Sequence, residues 1–343
     1  MAGHSTKVAL DPLVRETAVA LRERCGFDPR SEPVIAVACS GGGDSQALLR
    51  ALCALAGRRC WHQRVLVAHV NHHLTEQSDE ADTFLRQQAT DWGADYAVRS
   101  IHPDRHGGNL EATARKQRHA ALRSIAREHG VRTVALAHHA DDQLETMLMR
   151  LMRGAGPRGL AGMAWSRQSA AGDLAVVRPM LGITHAEIIG FLERHQVRWF
   201  EDPLNSKQHL RRNRLRADVL PGLRALWPKG HRRALETADQ LREMAQWMAS
   251  RVEAERSLFT PSGHELRADL AALAGLKAPL ASALLRSVLL ESGVRADRLS
   301  ARIVREIAEA VSQSPAQPSS WTLAGGVEVM VNHRSVVIRR PAS

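Results

Sequence analysis

The sequence predicts an α/β fold in which a doubly wound parallel sheet is followed by a helical domain and a small β meander. From Pro33 onward, short apolar runs alternate with amphipathic ones, as strands alternate with crossover helices in a parallel sheet. After about Arg216 these runs give way to long stretches rich in Ala, Leu, Arg and Glu. Near the end, two short alternating runs are separated by turn residues, which predicts the meander.

Five apolar runs are the strand candidates of the first domain, which we assign to residues 1–216. They cover residues 34–39, 65–70, 96–101, 133–137 and 175–178. Amphipathic helical patterns lie between them. One covers residues 111–129 and is ended by Gly130; another covers residues 184–195, where Thr184 and Glu187 have the spacing of a capping box.

The remainder of the chain is assigned to two parts. Residues 217–312 are expected to form a helical domain, because the patterns at 232–258 and 280–311 are helical. Residues 313–343 are expected to form a linker and the meander. The linker composition, rich in Ser, Pro and Gln, covers residues 313–320, and the alternating runs cover residues 327–331 and 336–338.

Composition indicates the class of partner. The formal net charge of +11 and the pI near 10.5 favour a polyanion, since Lys and Arg neutralise phosphates and release counterions. A basic surface kept for solubility is the alternative. The 4 cysteines form no C-x-x-C pair, which argues against a zinc ribbon or dithiol site. No apolar stretch is typical of a signal peptide or a membrane span, so we expect a cytoplasmic protein that binds no membrane.

A glycine-rich turn follows the first strand candidate and carries the strongest local signal. The turn reads Ser40-Gly41-Gly42-Gly43-Asp44-Ser45 and leads into a helical pattern. Glycines let backbone amides approach a phosphate, and the helix N-terminus adds positive charge. The alternative is an ordinary glycine turn with a Ser or Asp cap. The pattern lacks the lysine of G-x-x-x-x-G-K-[ST], which argues against γ-phosphoryl transfer. Asp44 is expected to act through Mg²⁺, because a carboxylate repels phosphate.

Two further motifs follow later strand candidates. His69-Val70-Asn71-His72 follows the second, at the sheet edge where open α/β folds bind nucleotides. After the fourth, the spacing of His138, Asp142 and Glu145 places them on one helical face if the helix begins early enough. Leu144, Leu148 and Leu151 are then expected to pack on the sheet. His139 and Asp141 are expected to be exposed.

These histidines and aspartates also suit a metal hydrolase with two cations, although that alternative leaves the glycine turn unexplained. In the helical pattern at 111–129, Glu111, Arg115 and Arg118 align on one face. Arginine suits a bidentate grip on phosphate or carboxylate. A solvated charged face with an intrahelical ion pair is the competing interpretation.

Taken together, seven motifs resemble those of the tRNA(Ile)-lysidine synthase family, a branch of the N-type ATP pyrophosphatases. They lie at 40–45, 69–72, 109–118, 138–146, 153–160, 178–179 and 201–216, the last including Glu201-Asp202-Pro203-Leu204-Asn205 and Arg212-Asn213-Arg214-Leu215-Arg216. The resemblance covers the N-terminal two thirds of the chain. It implies a Rossmann-like sheet of the PP-loop ATPase type. The implied reaction is the ATP-dependent joining of free L-lysine to carbon 2 of the wobble cytidine in tRNA(Ile) with a CAU anticodon.

The resemblance also implies roles for individual residues. Catalytic roles fall on Asp44, His138, Asp142, Glu145 and Arg115. ATP would be held by Ser40, Gly41, Gly42, Gly43, Asp44, Ser45, His69, Asn71 and His72, and Mg²⁺ by Asp44. Lysine or tRNA would be held by Arg115, Arg118, Asp202, Asn205, Arg212, Asn213, Arg214 and Arg216. The helical domain would bind the tRNA. The resemblance leaves the oligomeric state open, with a homodimer as one alternative.

The chain departs from the family pattern after His72, where His73-Leu74-Thr75 replaces Gly-Leu-Arg. An arginine role at that point is therefore in doubt. The nearest rival function is a tRNA thiolase, but the cysteines that thiolases use near the third and fourth strands are absent. An NAD or GMP synthase would be expected to have an ammonia-supplying domain or a different motif after the loop. A noncatalytic RNA-binding protein would be expected to lack Asp44 or Glu145.

Overall fold

The computed structural model describes residues 7–56, 58, 61, 63–71, 77–102, 110–169, 171–200, 210–314 and 317–340. The chain divides into two compact units, Met1–Gln240 and Leu241–Ser343, and the division falls inside a long helix, Gly230–Ala254. The borders predicted at residues 216 and 312 differ from this division. Within the described residues, no helix combines the length and the apolar character needed to cross a membrane.

The first unit alternates strands and helices as the sequence predicted. Its strands are β1 (Val34–Cys39), β2 (Arg64–Asn71), β3 (Asp95–Ser100), β4 (Thr133–Ala135), β5 (Ser166–Gln168) and β6 (Ala175–Val177). Its helices are α1 (Pro12–Val19), α2 (Gly43–Leu55), α3 (Gln77–Trp92), α4 (Leu110–Glu128), α5 (Ala140–Leu151), α6 (Pro157–Leu160), α7 (His185–Arg194), α8 (Leu210–Arg214) and α9 (Leu220–Leu226), followed by α10 (Gly230–Ala254). The π-helical turns Ala20–Arg24 and Leu215–Val219 extend α1 and join α8 to α9.

The sheet of the first unit has the order β3-β2-β1-β4-β6-β5. All pairs are parallel except β5 with β6, which form an antiparallel hairpin at one edge. The five predicted strands are present, and β5 was not predicted because a strand of three polar residues has no apolar run. The doubly wound parallel sheet is therefore confirmed.

Strand β1 is buried on both faces, as expected for the centre of a parallel sheet. Ile35 and Val37 pack on one face with Leu48 and Leu49 of α2. The alternate residues Val34 and Ala36 pack on the other face with apolar residues of α4. This burial on both sides explains the unbroken apolar run in the sequence and fixes the point where β1 ends.

The strand order reverses between β1 and β4, which are neighbours in the sheet. Open α/β sheets bind ligands in the crevice at such a switch point, beyond the carboxyl ends of the strands. The glycine turn follows β1, and the segment from His138 to Glu145 follows β4. The topology therefore brings the two strongest sequence motifs to one crevice.

The second unit combines helices with a five-stranded antiparallel sheet. The elements after α10 are β7 (Thr260–Ser262), β8 (Glu265–Asp269), α11 (Leu270–Ala274), α12 (Ala278–Glu291), α13 (Ala301–Gln313), β9 (Ser319–Thr322), β10 (Glu328–Val331) and β11 (Ser335–Arg339). The sheet order is β7-β8-β11-β10-β9, and α12 and α13 pack on it in one shared core. On α13 the buried residues Val304, Ile307, Ala308 and Val311 have helical spacing.

Two features of the second unit differ from the prediction. Strands β7 and β8 lie within the range expected to be helical, and β9 overlaps the segment expected to be a linker. Each has only three to five residues; β7 and β9 are rich in Ser, Thr or Pro, as turns are, and β8 is largely charged. They become strands because β8 pairs along the whole of β11, from Ser335 with Asp269 to Arg339 with Glu265.

A buried carboxylate ties α1 to α7 in the first unit. Asp11, at the N-terminus of α1, accepts a 2.9 Å hydrogen bond from the Leu13 amide and hydrogen bonds from Arg194 and His195. Burial alone would raise the pKa of Asp11, but the hydrogen bonds from His195, Leu13 and Arg194 hold it below its usual value. The charged form of Asp11 is therefore favoured by folding.

We expect Asp11→Asn to lower the free energy of unfolding at pH 7 by about 1–2 kcal/mol, because asparagine still caps the helix but its neutral side chain loses the charged hydrogen bonds with Arg194 and His195. A depressed folded pKa gives stability above the unfolded pKa of about 3.9, which is lost as the pH falls through the lower folded value. Urea unfolding of variant and wild type should therefore converge as the pH falls through the lowered pKa of Asp11 in the folded state. Asp28→Asn, in an exposed turn where Asp28 accepts from the Arg30 amide, is the control. A pH-independent difference between Asp11→Asn and wild type would refute this account.

Candidate active site

The glycine turn after β1 has a backbone conformation that glycine favours. Gly41 has a φ of +91°, and a Cβ placed on it would lie 3.3 Å from the Cβ of Phe200. The Gly41 carbonyl also accepts a 2.9 Å hydrogen bond from the Phe200 amide. The turn is therefore held against the segment after α7, with little space for a side chain at position 41.

Helix α2 begins directly after this turn and has an open N-terminus. Its N-cap is Gly42, and none of the described side chains caps the helix. The Ser45 hydroxyl donates a 2.8 Å hydrogen bond to the Gly42 carbonyl, which fixes the first turn. Amides of a first helical turn have no partner within their own helix and carry partial positive charge. The geometry suits a bound anion, as the sequence predicted.

The end of β2 lies beside the glycine turn, because His69 pairs with Cys39 in the sheet register. His69 is buried, and its Nδ1 donates a 2.8 Å hydrogen bond to the Cys39 carbonyl. Asn71 is also buried, and its Nδ2 donates to Asp79 at 3.3 Å. Both residues line the sheet edge next to the turn, where the sequence placed them.

Helix α5 begins at Ala140, which is later than the predicted alignment requires. His139 is its N-cap and forms a capping box with Asp142, so His138 lies before the helix. The expected packing was wrong for Leu151, which is 51% exposed, whereas Leu144 and Leu148 are half-buried; the buried residues of α5 are largely polar. This polar face of α5 can be buried because charged side chains and backbone groups form ion pairs and hydrogen bonds with it.

Two arginines of the segment 210–219 pair with the buried polar groups of α5. Arg216 bridges two carboxylates: its Nε donates to Glu145, and its Nη2 donates to Asp142 at 2.6 Å. Arg212 lies four residues earlier, with its Nε 3.4 Å from Glu145 and its Nη2 donating to Thr146 at 3.3 Å. The spacing of four residues places both guanidinium groups on the side of the segment that faces α5.

The three titratable groups predicted at this position have perturbed pKa values. Burial raises the pKa of Glu145, against the opposing effect of Arg216. Burial also lowers the pKa of His138 to about 4, helped by Arg178, Arg115 and Arg212. Asp142 responds differently, because His139, His138 and Arg216 outweigh its burial and hold its pKa below the usual value. At neutral pH the site therefore holds a neutral His138 beside a charged Asp142.

Asp44 connects the glycine turn to α5 and α7. Its Oδ1 lies 3.1 Å from Nδ1 of His185, and its Oδ2 lies 3.6 Å from Nε2 of His139. The centroids of the His139 and His185 imidazole rings are 5.4 Å apart. Behind them, Asp141 accepts a 2.8 Å hydrogen bond from the His185 amide and pairs with Arg224 at 2.7 Å. His139 and Asp141 are buried, so the expectation that both are exposed was wrong.

A second group of arginines places positive charge near His138. Burial, followed by the positive charges of Arg115 and Arg167, lowers the pKa of Arg178 to about 10. Arg115 and Arg118 are exposed on α4, and the charge of Arg115 also acts on His138. Among the described residues, no carboxylate forms an ion pair with Arg115 or Arg178. This arrangement suits an anionic ligand.

Comparison with known proteins identifies the family. The model of the PP-loop domain matches residues 15–223. The tRNA(Ile)-lysidine synthase of a Synechococcus species is 37% identical over 234 residues, which cover 68% of this chain and 69% of that protein. The chain belongs to the tRNA(Ile)-lysidine synthase family. The family member of Burkholderia mallei is 39% identical over 213 residues, which cover 62% of this chain and 42% of that protein. The chain thus matches about half the length of several curated relatives.

A solved structure supports the fold of this tRNA(Ile)-lysidine synthase family member. The U34-tRNA thiolase NcsA from Methanococcus maripaludis superposes with a TM-score of 0.55, covering 67% of this chain and 79% of that chain. Its sequence identity of 17% limits the comparison to architecture. The PP-loop fold expected from the sequence is therefore confirmed.

The structure brings together only part of the site that the family resemblance implied. Asp44, His138, Asp142, Glu145, Arg212 and Arg216 lie in the crevice or at its border, with Arg115 near His138. Arg214 is exposed and pairs with Asp218 of its own segment, whereas Asn213 is half-buried. His72, Asp202 and Asn205 lie outside the described residues. The functional roles of all these residues stay predictions.

Four crevice residues were not predicted in this family member: His139, Asp141, His185 and Arg224. The first two belong to the motif at 138–146, which begins His138-His139-Ala140-Asp141-Asp142, and the spacing of His139 to Asp142 is that of a cap and its N3 residue. His185 follows Thr184, whose predicted capping box with Glu187 is present. Arg224 gives no local signal, since its partner Asp141 lies far away in the sequence.

Proposed function

We propose that this chain joins free L-lysine to carbon 2 of the wobble cytidine of tRNA(Ile) with a CAU anticodon, using ATP and releasing AMP and pyrophosphate. The observation that carries the proposal is the proximity of the glycine turn to the acidic helix α5. Asp44, in the glycine turn, lies 3.6 Å from His139, which caps the helix holding Asp142 and Glu145. A phosphate site and a buried acidic site thus share one crevice, and the family membership names the reaction.

The reaction needs ATP because the cytosine carbonyl is a poor electrophile with a poor leaving group. In the first step, the base oxygen attacks the α-phosphorus and pyrophosphate leaves. In the second step, the ε-amine of lysine forms a bond to carbon 2, and AMP leaves with the former carbonyl oxygen. The amine loses one proton, which a base in the crevice must accept.

The groups of the glycine turn suit ATP and a cation. The uncapped amides at the start of α2 would hold the phosphates, with Ser40 and Ser45 adding hydroxyls. His69 and Asn71 would lie toward the adenosine. The half-exposed carboxylate of Asp44 is a suitable ligand for Mg²⁺, which would neutralise the charge of the phosphates.

The acidic groups on α5 suit the lysine step. Asp142 and Glu145 would attract the lysine ammonium, and Glu145, with its raised pKa, is suited to accept the proton that the amine loses. His138 is neutral at physiological pH and would contact the cytidine without adding charge. Arg216 pairs with both carboxylates and would have to give up at least one of them when an ammonium binds.

The basic groups suit the RNA. The net charge of +11 favours a polyanion, and Arg115, Arg118 and Arg178 would contact phosphates near the crevice. The second unit would bind the sugar-phosphate backbone of the tRNA body. Such contacts fix the position and orientation of the RNA on the protein. The wobble base would have to turn out of the anticodon stack to reach His138.

The test is incubation of the purified protein with ATP, Mg²⁺, labelled lysine and a CAU transcript of tRNA(Ile). We expect label in the RNA only when ATP is present. Asp44→Ala should reduce incorporation by at least about a hundredfold, as expected when a group that stabilises transition-state charge is removed. Asp173→Ala is the matched control, because Asp173 is similarly exposed but lies in the β5–β6 hairpin and pairs with Arg127.

Three outcomes would contradict the proposal: incorporation without ATP, equal loss in both variants, or entry of sulfur instead of lysine. The last would support a tRNA thiolase, the alternative that shares this fold.

A further inference from the structure

Asp44 lies beside two histidines, and a magnesium site does not require imidazole ligands. Asp44, His139 and His185 each offer one ligand atom, and the three atoms lie within 4.8 Å of one another. Mg²⁺ prefers carboxylates, phosphates and water, whereas imidazole is a ligand of transition metals. We propose that Asp44, His139 and His185 form a binding site for a divalent transition-metal ion at the mouth of the phosphate loop, for which Mn²⁺ serves as the paramagnetic probe.

The distances suit three ligands on one face of an ion. Two ligand atoms that each lie about 2.1 Å from an ion are roughly 3.0–3.5 Å apart when adjacent. Asp44 Oδ1 and His185 Nδ1 are 3.1 Å apart, whereas the 3.6 Å distance to His139 Nε2 is from the other carboxylate oxygen, Oδ2. A small movement of the side chains would therefore be needed to bring one atom of each residue to the same ion. Two histidines and one carboxylate leave the remaining coordination positions open. Those positions would be available to water or to phosphate oxygens.

The three elements that carry the ligands are held firmly. Asp44 is in the first turn of α2, His139 caps α5, and His185 is the first residue of α7. Each position is set by local structure: an uncapped glycine turn and two capping boxes. The Ala140 amide also donates a 2.8 Å hydrogen bond to the Ile183 carbonyl, which joins the starts of α5 and α7. The ligand set is therefore largely preformed.

A second layer supports the two imidazoles. Asp141 Oδ2 accepts from the His185 amide at 2.8 Å and lies 3.7 Å from His139 Nδ1. Without an ion, His139 Nδ1 accepts a long 3.4 Å hydrogen bond from the Asp142 amide, so Nε2 carries the proton. If Nε2 bound an ion, the proton would have to lie on Nδ1, and the ring would have to exchange its bond from the Asp142 amide for one to Asp141, whose Oδ2 is 3.7 Å away. Metal-bound histidines commonly donate their other N–H to a carboxylate in this way.

Arg224 completes this layer by pairing with Asp141 at 2.7 Å. Together with Arg216 and Arg212, it places positive charge behind the carboxylates, while Asp44 stays directed toward the histidines. In the proposed function this ion would take the place beside ATP that Mg²⁺ can also fill, but binding of the cation alone does not depend on that function. The two proposals can therefore fail separately.

The experiment measures Mn²⁺ binding to the full chain without nucleotide or tRNA, using the electron paramagnetic resonance signal of free Mn²⁺. We expect one bound ion per chain, less than half displaced by a hundredfold excess of Mg²⁺. Pulsed measurements should detect the nitrogen couplings of two imidazoles. His185→Ala should weaken binding at least tenfold and remove one coupling, and Asp44→Asn should also weaken it. His129→Ala, which removes an exposed histidine at the end of α4, should bind as the wild type does.

His185→Ala should remain folded, since the side chain is 52% exposed and the bond from its backbone amide to Asp141 is retained. Equal circular dichroism and melting temperature would verify this. The proposal is overturned if no ion binds, if equimolar Mg²⁺ displaces Mn²⁺, if no nitrogen coupling is found, or if His185→Ala binds as tightly as the wild type. Lysine transfer measured with Mg²⁺ alone tests the proposed function independently of these results.

Discussion

Glu145→Ala is expected to lower lysine incorporation by about two to four orders of magnitude, the usual contribution of a general base. Glu145 is fully buried and is the carboxylate with the raised pKa in the crevice. If it accepts the proton of the lysine amine, its loss impairs the second step alone. A burst of pyrophosphate that depends on tRNA should therefore remain, while labelled lysine no longer enters the RNA. Rapid-quench measurement of both products separates the two steps.

The same substitution should also destabilise the fold by about 1–3 kcal/mol. Arg216 and Arg212 lose a buried partner, but their side chains are 48% and 27% exposed and can regain water, which lowers the cost below that of a fully buried pair. Glu128→Ala is the control, since Glu128 pairs with Arg99 on the surface of the same unit. Equal loss of the pyrophosphate burst and of lysine transfer would contradict the role given to Glu145.

Gly41→Ala is the second substitution with a large expected effect. A side chain at a φ of +91° is strained, and the new Cβ would lie 3.3 Å from the Cβ of Phe200. The turn would have to move away from Phe200, and the amides at the start of α2 would move with it. We expect ATP affinity to fall at least about tenfold, which corresponds to about 1.4 kcal/mol. Calorimetric titration with ATP and Mg²⁺ measures this.

Gly172→Ala is the matched control for this substitution. Gly172 has a φ of +70° in the β5–β6 hairpin, and no heavy atom of the described residues lies within 4 Å of the methyl group that alanine would add there. It should lose about 1 kcal/mol of stability from backbone strain and keep its ATP affinity. If both variants bind ATP equally well, the glycine turn is not the phosphate site.

Local sequence was sufficient for five strands of the first unit and for the glycine turn. The run 34–39 matches β1 in both of its bounds, because a strand buried on both faces is apolar throughout. The turn and the start of α2 follow within a few residues of each other, and so do Thr184 and Glu187 of the capping box before α7. The signals for these features are contained in short windows of sequence.

The contacts that organise the crevice could not be read from such windows. Arg216 and Glu145 are 71 residues apart, and the sequence of either segment alone is compatible with a solvated charged helix. His139 and Asp141 become buried because α7 and Arg224 cover them. In the second unit, the short strand β8 depends on pairing with β11, about 70 residues later. Pairing over such distances has no local signal.

The central claim is that the crevice splits ATP between the α and β phosphates in order to activate a base of RNA. The most direct measurement is separation of the nucleotide products formed with labelled ATP, L-lysine and the CAU transcript. The account predicts AMP and pyrophosphate, formed in equal amounts with each lysine joined to the RNA and absent without the transcript. Formation of ADP and phosphate in proportion to the modified tRNA would contradict it.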